Sequence, residues 1–326
     1  MGNIRERVEY IDTAAGIMIL WLLWYHALWP LYEREVLSVV PWFFYFMPWF
    51  FYKSGYFFSP KPIREVVRKD STKLLKQYAI WSIIGYALYI VQLFYYSDTI
   101  TFREVVYSPI RNLIFIGAVP INRSLWFIPV LCVVHILATI LSRKANLLIV
   151  GLISLVIALA LGLPHFTYMP RPIFATAWGL FFFCMGSFLR KYEQNVIVII
   201  VSFVTVILTI AFTRIPTWYD MTNQLPWYEY VGWFPASVAG CIVLNTICRW
   251  IDKWPISIFK WIGRHSMIFY VVQGVDCVLI ADWLFYMHRE YYSSWWCVLA
   301  AFVLYAVTII PLSFLQDLKK KSIKNV

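Results

Sequence analysis

The chain has 326 residues, of which 61% are hydrophobic, 20% aromatic and only 14% charged, which excludes an ordinary soluble domain. It reads as an all-α polytopic membrane protein, one bundle of about ten transmembrane helices over 1–326 with a basic cytoplasmic tail at 317–326 and no appended soluble domain. The net charge of +11 would suggest nucleic acid in a soluble protein, but here the bases are distributed by loop, so they report topology and no nucleic-acid partner is expected.

In chain order, apolar runs predict spans near 12–31, 39–58, 75–97, 124–141, 146–162, 172–189, 195–213, 231–249, 266–286 and 295–316. Pro60, Pro62, Gly162-Leu-Pro164, Pro216, Pro226 and Trp254-Pro255 punctuate them. If the N-terminus is cytoplasmic, loops on that side collect twenty bases, among them Arg64, Arg68, Lys69, Lys253 and Lys260. The opposite loops hold seven: Arg34, Arg103, Arg111, Arg123, Arg171, Arg214 and Arg289. That bias places both termini in the cytoplasm and the chain, multi-pass, in a plasma or inner membrane. The start, Met-Gly-Asn-Ile-Arg-Glu-Arg, carries acids with bases and precedes no small-x-small cleavage site, so the first helix is expected to stay attached. No internal repeat of the kind many transporters carry is visible.

The first span holds the most informative residue. His26 lies in Thr13-Ala-Ala-Gly-Ile-Met-Ile-Leu-Trp-Leu-Leu-Trp-Tyr-His26, where an ionisable group is costly and a functional role is the working hypothesis. A hydrogen bond to a neighbouring helix is the plainer alternative. Asp12, fourteen positions earlier, returns to within about 40° of the same helix face but lies about 21 Å away along the axis. The pair therefore marks a polar seam from the cytoplasmic mouth, at Asp12, into the outer half, at His26. A neutral imidazole there is placed to accept a proton.

Other polar residues inside spans are candidates for the same seam. Tyr270, Gln273 and Asp276 share a face of the ninth span, where they line a cavity or form a buried interhelical cluster. Lys53, with Ser54 beside it, either holds a phosphate or thioester oxygen or snorkels to the headgroups. Arg123, just before Trp126 on the outward side, either orients an acidic sugar or anionic lipid or anchors at the interface. His135 offers a second relay group in the fourth span, whereas His165, His265 and His288 lie in loops or at helix ends. The basic loop from Lys61 to Lys76 attracts anionic lipid or polyanionic CoA. The outward Pro216-Thr-Trp-Tyr-Asp220 and Pro226-Trp-Tyr-Glu-Tyr230 set rings beside carboxylates, as sugar binding or an interfacial belt would. Six cysteines fall singly in apolar runs and read as core residues, with no metal-ligand spacing.

The run Arg7-Val-Glu-Tyr-Ile-Asp12-Thr-Ala-Ala-Gly16-Ile17 ending at His26 resembles the first-helix signature of the acyltransferase 3 superfamily, which includes the fucose 4-O-acetylase-like proteins. Further elements follow in order. Ser54-Gly55-Tyr56-Phe57-Phe58, Ser124-Leu-Trp126-Phe127-Ile-Pro129, Phe181-Phe-Phe-Cys-Met-Gly186-Ser-Phe-Leu-Arg190 and Ile262-Gly263-Arg264-His265-Ser266 are similar to its later segments. Two positions depart: Ala15 stands where members commonly carry Arg or Lys, and Gln273 where many carry histidine.

The resemblance implies O-acyl transfer, usually acetyl, from cytoplasmic acetyl-CoA or another acyl-CoA to a hydroxyl of an extracytoplasmic cell-surface glycan or lipid-linked sugar, with His26 essential. Acyl-CoA is then a donor substrate and no bound cofactor is expected. Two alternatives stay open, a transporter or flippase of a glycan or lipid precursor and an inactive family member. The chain has no H-x-x-x-x-D site, no G-x-x-x-x-G-K-[ST] run and no H-E-x-x-H, which excludes several common membrane-enzyme mechanisms.

Overall fold

The computed structural model describes residues 8–27, 45–97, 99–162, 169–212, 227–255, 257–287 and 295–324. The described residues form thirteen α-helices and no strand. These are α1 Glu9–Ala27, α2 Phe46–Tyr56, α3 Ile63–Asp70, α4 Lys76–Tyr96, α5 Ser108–Phe115, α6 Phe127–Leu141, α7 Leu147–Leu161, α8 Arg171–Leu189, α9 Val196–Phe212, α10 Trp227–Ile251, α11 Ser257–Arg264, α12 Ser266–Met287 and α13 Trp295–Lys324. A π-helical turn, Ser71–Leu75, joins α3 to α4, and a 3₁₀ turn, Arg123–Trp126, leads into α6.

Five helical stretches are long and apolar enough to cross a membrane: Ile63–Tyr95, Arg123–Leu141, Arg171–Leu189, Gly232–Ile251 and Leu299–Lys319. Two shorter apolar helices, Leu147–Leu161 and Val196–Phe212, accompany them. Large apolar side chains such as Ile83 and Phe94 of α4 and Ile197 and Ile207 of α9 stand exposed, as expected of surfaces solvated by acyl chains. The chain is thus a helical membrane protein. The aromatic segment around residues 216–220, expected on the outward side, lies outside the described residues, as do His165 and His288. α13 continues as helix to Lys324, into the segment expected as a basic tail.

Among helices in lipid, association rests on close packing and on polar groups satisfied between helices. Glycine supplies the close packing. A methyl group on Gly16 of α1 would run into the Phe259 carbonyl of α11, and one on Gly263 of α11 into the Asp12 carbonyl of α1. α2 and α8 are matched in the same reciprocal way, Gly55 against the Phe183 carbonyl and Gly186 against the Tyr52 carbonyl. At both crossings the backbones touch because each helix offers a residue without a side chain.

The polar ties converge on Glu193, in the turn between α8 and α9, which is only 1% exposed. Its carboxylate accepts from the Asn245 amide at 2.6 Å, from Arg249 Nη2 at 3.1 Å, and from the Tyr10 and Tyr52 hydroxyls at 3.2 and 3.4 Å. Arg249 also donates to the Tyr10 oxygen at 3.0 Å, and Trp49 Nε1 to Asn245 Oδ1 at 2.9 Å. One acid thereby binds α1, α2 and α10 to the α8–α9 turn. Arg190, from the same turn, donates to the Tyr56 carbonyl at 3.3 Å.

Glu193→Ala leaves Arg249, Asn245 and two buried hydroxyls without their acceptor. It should cost about 3 kcal/mol or more and lower the midpoint of thermal unfolding of the purified protein. The double variant Glu193→Gln/Arg249→Met, which removes both charges, should lose less than Glu193→Ala. Equal losses would show that the network contributes packing only.

Candidate functional site

α1 runs from Glu9 to Ala27 without a proline and so carries His26 in its last turn. The imidazole is half-buried, edge-on to Tyr25 with ring centroids 5.6 Å apart. Among the described residues nothing hydrogen-bonds to it, so its nitrogens remain available to a ligand. Beside it opens a cavity of about 140 Å³. Leu22 and Tyr25 of α1 and Phe46 and Met47 of α2 form one wall, and Tyr270 of α12 forms another. The 3₁₀ turn contributes Arg123, Ser124 and Trp126, and α8 contributes its first residue, Arg171.

The 3₁₀ turn is held by α12. Asn122 is fully buried and donates to the Val271 carbonyl at 3.0 Å, while its Oδ1 accepts from the Ser124 hydroxyl at 2.9 Å. The Tyr270 hydroxyl donates to the Ser124 carbonyl. Gly274 allows this approach, since a side chain there would strike Asn122 Oδ1 and the Ser124 hydroxyl. Arg123 is therefore flanked by two anchored residues; it is itself exposed and lines the cavity. The Tyr270 ring packs edge-on against Phe127 at 5.6 Å.

The structure brings together four residues singled out from sequence: His26, Arg123, Trp126 and Tyr270. The others lie elsewhere. Asp12, at the far end of α1, pairs with Arg264 of α11 at 3.5 Å. At the same end Glu9 accepts from Lys260 at 2.7 Å, and that contact holds the Glu9 carboxyl below its ordinary range. Asp276 faces α13, where the Thr308 hydroxyl donates to it at 2.6 Å. Gln273 is fully buried, and neither end of its amide has a partner among the described residues. Lys53 sits two turns along α2 from Phe46, its ammonium 5.5 Å from the centre of the Trp49 ring, and Ser54 beside it is half-buried. Neither lines the His26 cavity.

Between the two ends of α1 the space is apolar. A second cavity of about 50 Å³, lined by Ile19, Phe50, Phe127, Ser266 and Met267, shares Met47 and Tyr270 with the first. Tyr270 thus stands between a polar cavity at His26 and an apolar one on the Asp12 side. His135 is bonded to Asp70 at 2.8 Å, and His265 to Asp317 at 2.9 Å, so both histidines join helices.

Sequence reasoning passed over Arg171, counting it only as a loop charge. Its signal was the setting Pro170-Arg171-Pro172, a rigid base at a helix start on the side poor in bases. The Glu193 network was missed because its members are spread from Tyr10 to Arg249.

A helical membrane bundle with a histidine opening on an internal cavity lined by arginine, tyrosine and tryptophan defines an integral-membrane protein equipped for chemistry between its helices. The family model for the acyltransferase domain of the acyltransferase 3 group matches residues 8–315, and the chain belongs to that family, the membrane acyltransferases. No curated protein and no solved structure matches the chain significantly.

Tyr270→Phe leaves the Ser124 carbonyl without its donor while keeping the ring. Amide hydrogen exchange over residues 122–126 should quicken about 10-fold, corresponding to about 1.4 kcal/mol of local opening, with α8 unchanged. Unaltered exchange in the turn would mean that α12 does not hold it.

Proposed function

We propose that this chain is an O-acyltransferase that moves an acetyl or other short acyl group from cytoplasmic acyl-CoA to a hydroxyl of a cell-surface glycan or lipid-linked sugar. The observation that carries the reading is His26: an imidazole without a hydrogen-bonding partner among the described residues opens on a cavity that also holds Arg123, Trp126 and Tyr270, in a chain of an acyltransferase family. In this reading ten spans carry both termini to the cytoplasmic face of a plasma or inner membrane. The Asp12 end is then the cytoplasmic mouth, and the His26 cavity lies in the outer half.

The chemistry needs no covalent enzyme intermediate, because a thioester is already activated. Neutral His26 takes the proton of the acceptor hydroxyl as its oxygen bonds to the acyl carbonyl carbon. The C–S bond then breaks, and the proton passes from His26 to the departing thiolate, giving ester and free CoA. Arg123 supports the developing oxyanion or holds the acceptor, with Trp126 as an apolar platform. Lys53 and Ser54 lie on the donor's route from the Asp12 end, Asp276 ties the helix that carries Tyr270 to α13, and Gln273 is a polar group of the same helix.

In proteoliposomes supplied with labelled acetyl-CoA and a glycan acceptor, His26→Ala should lose transfer by about 10²- to 10⁴-fold. Its thermal midpoint should stay near that of the wild type, since the imidazole makes no hydrogen bond to the described residues. Full transfer by the variant would overturn the reading.

A further inference from the structure

Arg123 and Arg171 come from segments forty-eight residues apart in the chain, yet both line the His26 cavity. We infer that they form an oxyanion subsite and that the sugar accepted beside His26 bears a negative charge, a carboxylate or a phosphate. The inference rests on the reading of this cavity as the transfer site and adds the acceptor's chemical class.

The first argument is charge. Among the described residues no aspartate or glutamate lines the cavity and neither arginine forms an ion pair. At the Asp12 end, by contrast, the bases packed against α1 are matched: Arg249 with Glu193, Arg264 with Asp12, Lys260 with Glu9 and Asp252. These two belong to the side on which only seven bases fall, so their convergence is not part of the general basic bias of the chain. A neutral ligand would leave two like charges gathered on one small cavity, whereas a carboxylate offsets one of them and a phosphate close to both.

The second argument is rigidity. Arg123 sits between Asn122 and Ser124, both tied to α12. Arg171 lies between two prolines at the start of α8, so its backbone is constrained from both sides. Gly117, at φ +85°, packs between the two segments: a Cβ there would lie 3.0 Å from Pro172 Cγ and 3.5 Å from Trp126 Cα. The backbones that carry the two guanidinium groups are therefore fixed relative to each other, and guanidinium forks suit the paired oxygens of a carboxylate or a phosphate.

The third argument is size. A cavity of about 140 Å³ holds a reacting group and a small anion, not a nucleotide. With the thioester at His26, the pantetheine arm keeps the phosphates of CoA far from this cavity, towards the Asp12 end. The anion must then belong to the acceptor.

The test is equilibrium binding to the full-length protein in phosphatidylcholine nanodiscs, with glucuronate, glucose 1-phosphate and glucose as probes. Either charged sugar should bind at least about 10-fold more tightly than glucose, and the better of the two identifies carboxylate or phosphate as the group read. Arg123→Gln and Arg171→Gln should each weaken the charged probe about 10-fold, and Arg→Lys at either position should weaken it less. Glucose binding as well as both charged probes to the wild type would overturn the inference without any variant. Displacement of the charged sugar by phosphatidylglycerol in the nanodisc would also overturn it, assigning the pair to lipid headgroups. Acyl transfer to neutral sugars with no gain for charged ones would sink the anionic acceptor and leave the acyltransferase reading intact. Arginine-dependent anion binding with no transfer to any acceptor would do the reverse.

Discussion

A carboxylate shut away from water among apolar helices must find its hydrogen bonds in protein, and Glu193 finds them in three helices at once. Tyr10 fixes the start of α1, Tyr52 fixes α2, and Asn245 and Arg249 fix α10. α1 is one continuous helix from Glu9 to Ala27, so setting its Tyr10 end also sets where His26 arrives, at the other end. The acid lies far from the cavity and touches none of its lining, yet it sets the relation of the two helices whose ends, Tyr25-His26 and Phe46-Met47, form one wall of it.

Glycine does the complementary work. The α1–α11 and α2–α8 crossings bring backbone against backbone, so that polar ties of ordinary length can span neighbouring helices. At the His26 end the same device recurs in Gly274, which lets the Asn122–Trp126 segment lie directly on α12. The site is thus built from elements that hold each other: α12 pins the turn that bears Arg123, and Gly117 joins that turn to the start of α8 with Arg171. Such a frame fixes the backbones that carry the charged groups, which favours electrostatic stabilisation of a developing charge.

Much of this was legible in the sequence, for identifiable reasons. A histidine within an apolar run stands out because lipid makes it costly, and Arg123 beside Trp126 stands out because it falls in the alternate set of loops that holds few bases. The family resemblance, carried by short segments in order, agrees with the match over residues 8–315. Pairings between remote residues were not legible: nothing in the periodicity joins Asp12 to Arg264, His265 to Asp317 or Glu193 to Tyr10. The seam inferred from Asp12 and His26 sharing a helix face shows why. Helical phase orders residues about one axis and says nothing of what the neighbouring helices bring, which between those two residues is mainly Met47, Phe50, Phe127 and Met267. The departure at Ala15 has the same character. That residue is packed in the core, and the cations near α1 come from other helices and turns: Arg264 at one end, Arg123 and Arg171 at the other.

The central claim is that the acyl group is transferred at the His26 cavity, with the donor entering from the Asp12 end. The most direct measurement is an electron cryomicroscopy structure of the protein with a non-hydrolysable thioether analogue of acetyl-CoA. The account predicts the nucleotide at the Asp12 end, the pantetheine arm passing Tyr270, and the acyl carbonyl in the cavity beside His26. An analogue bound with its acyl group away from that cavity would contradict it.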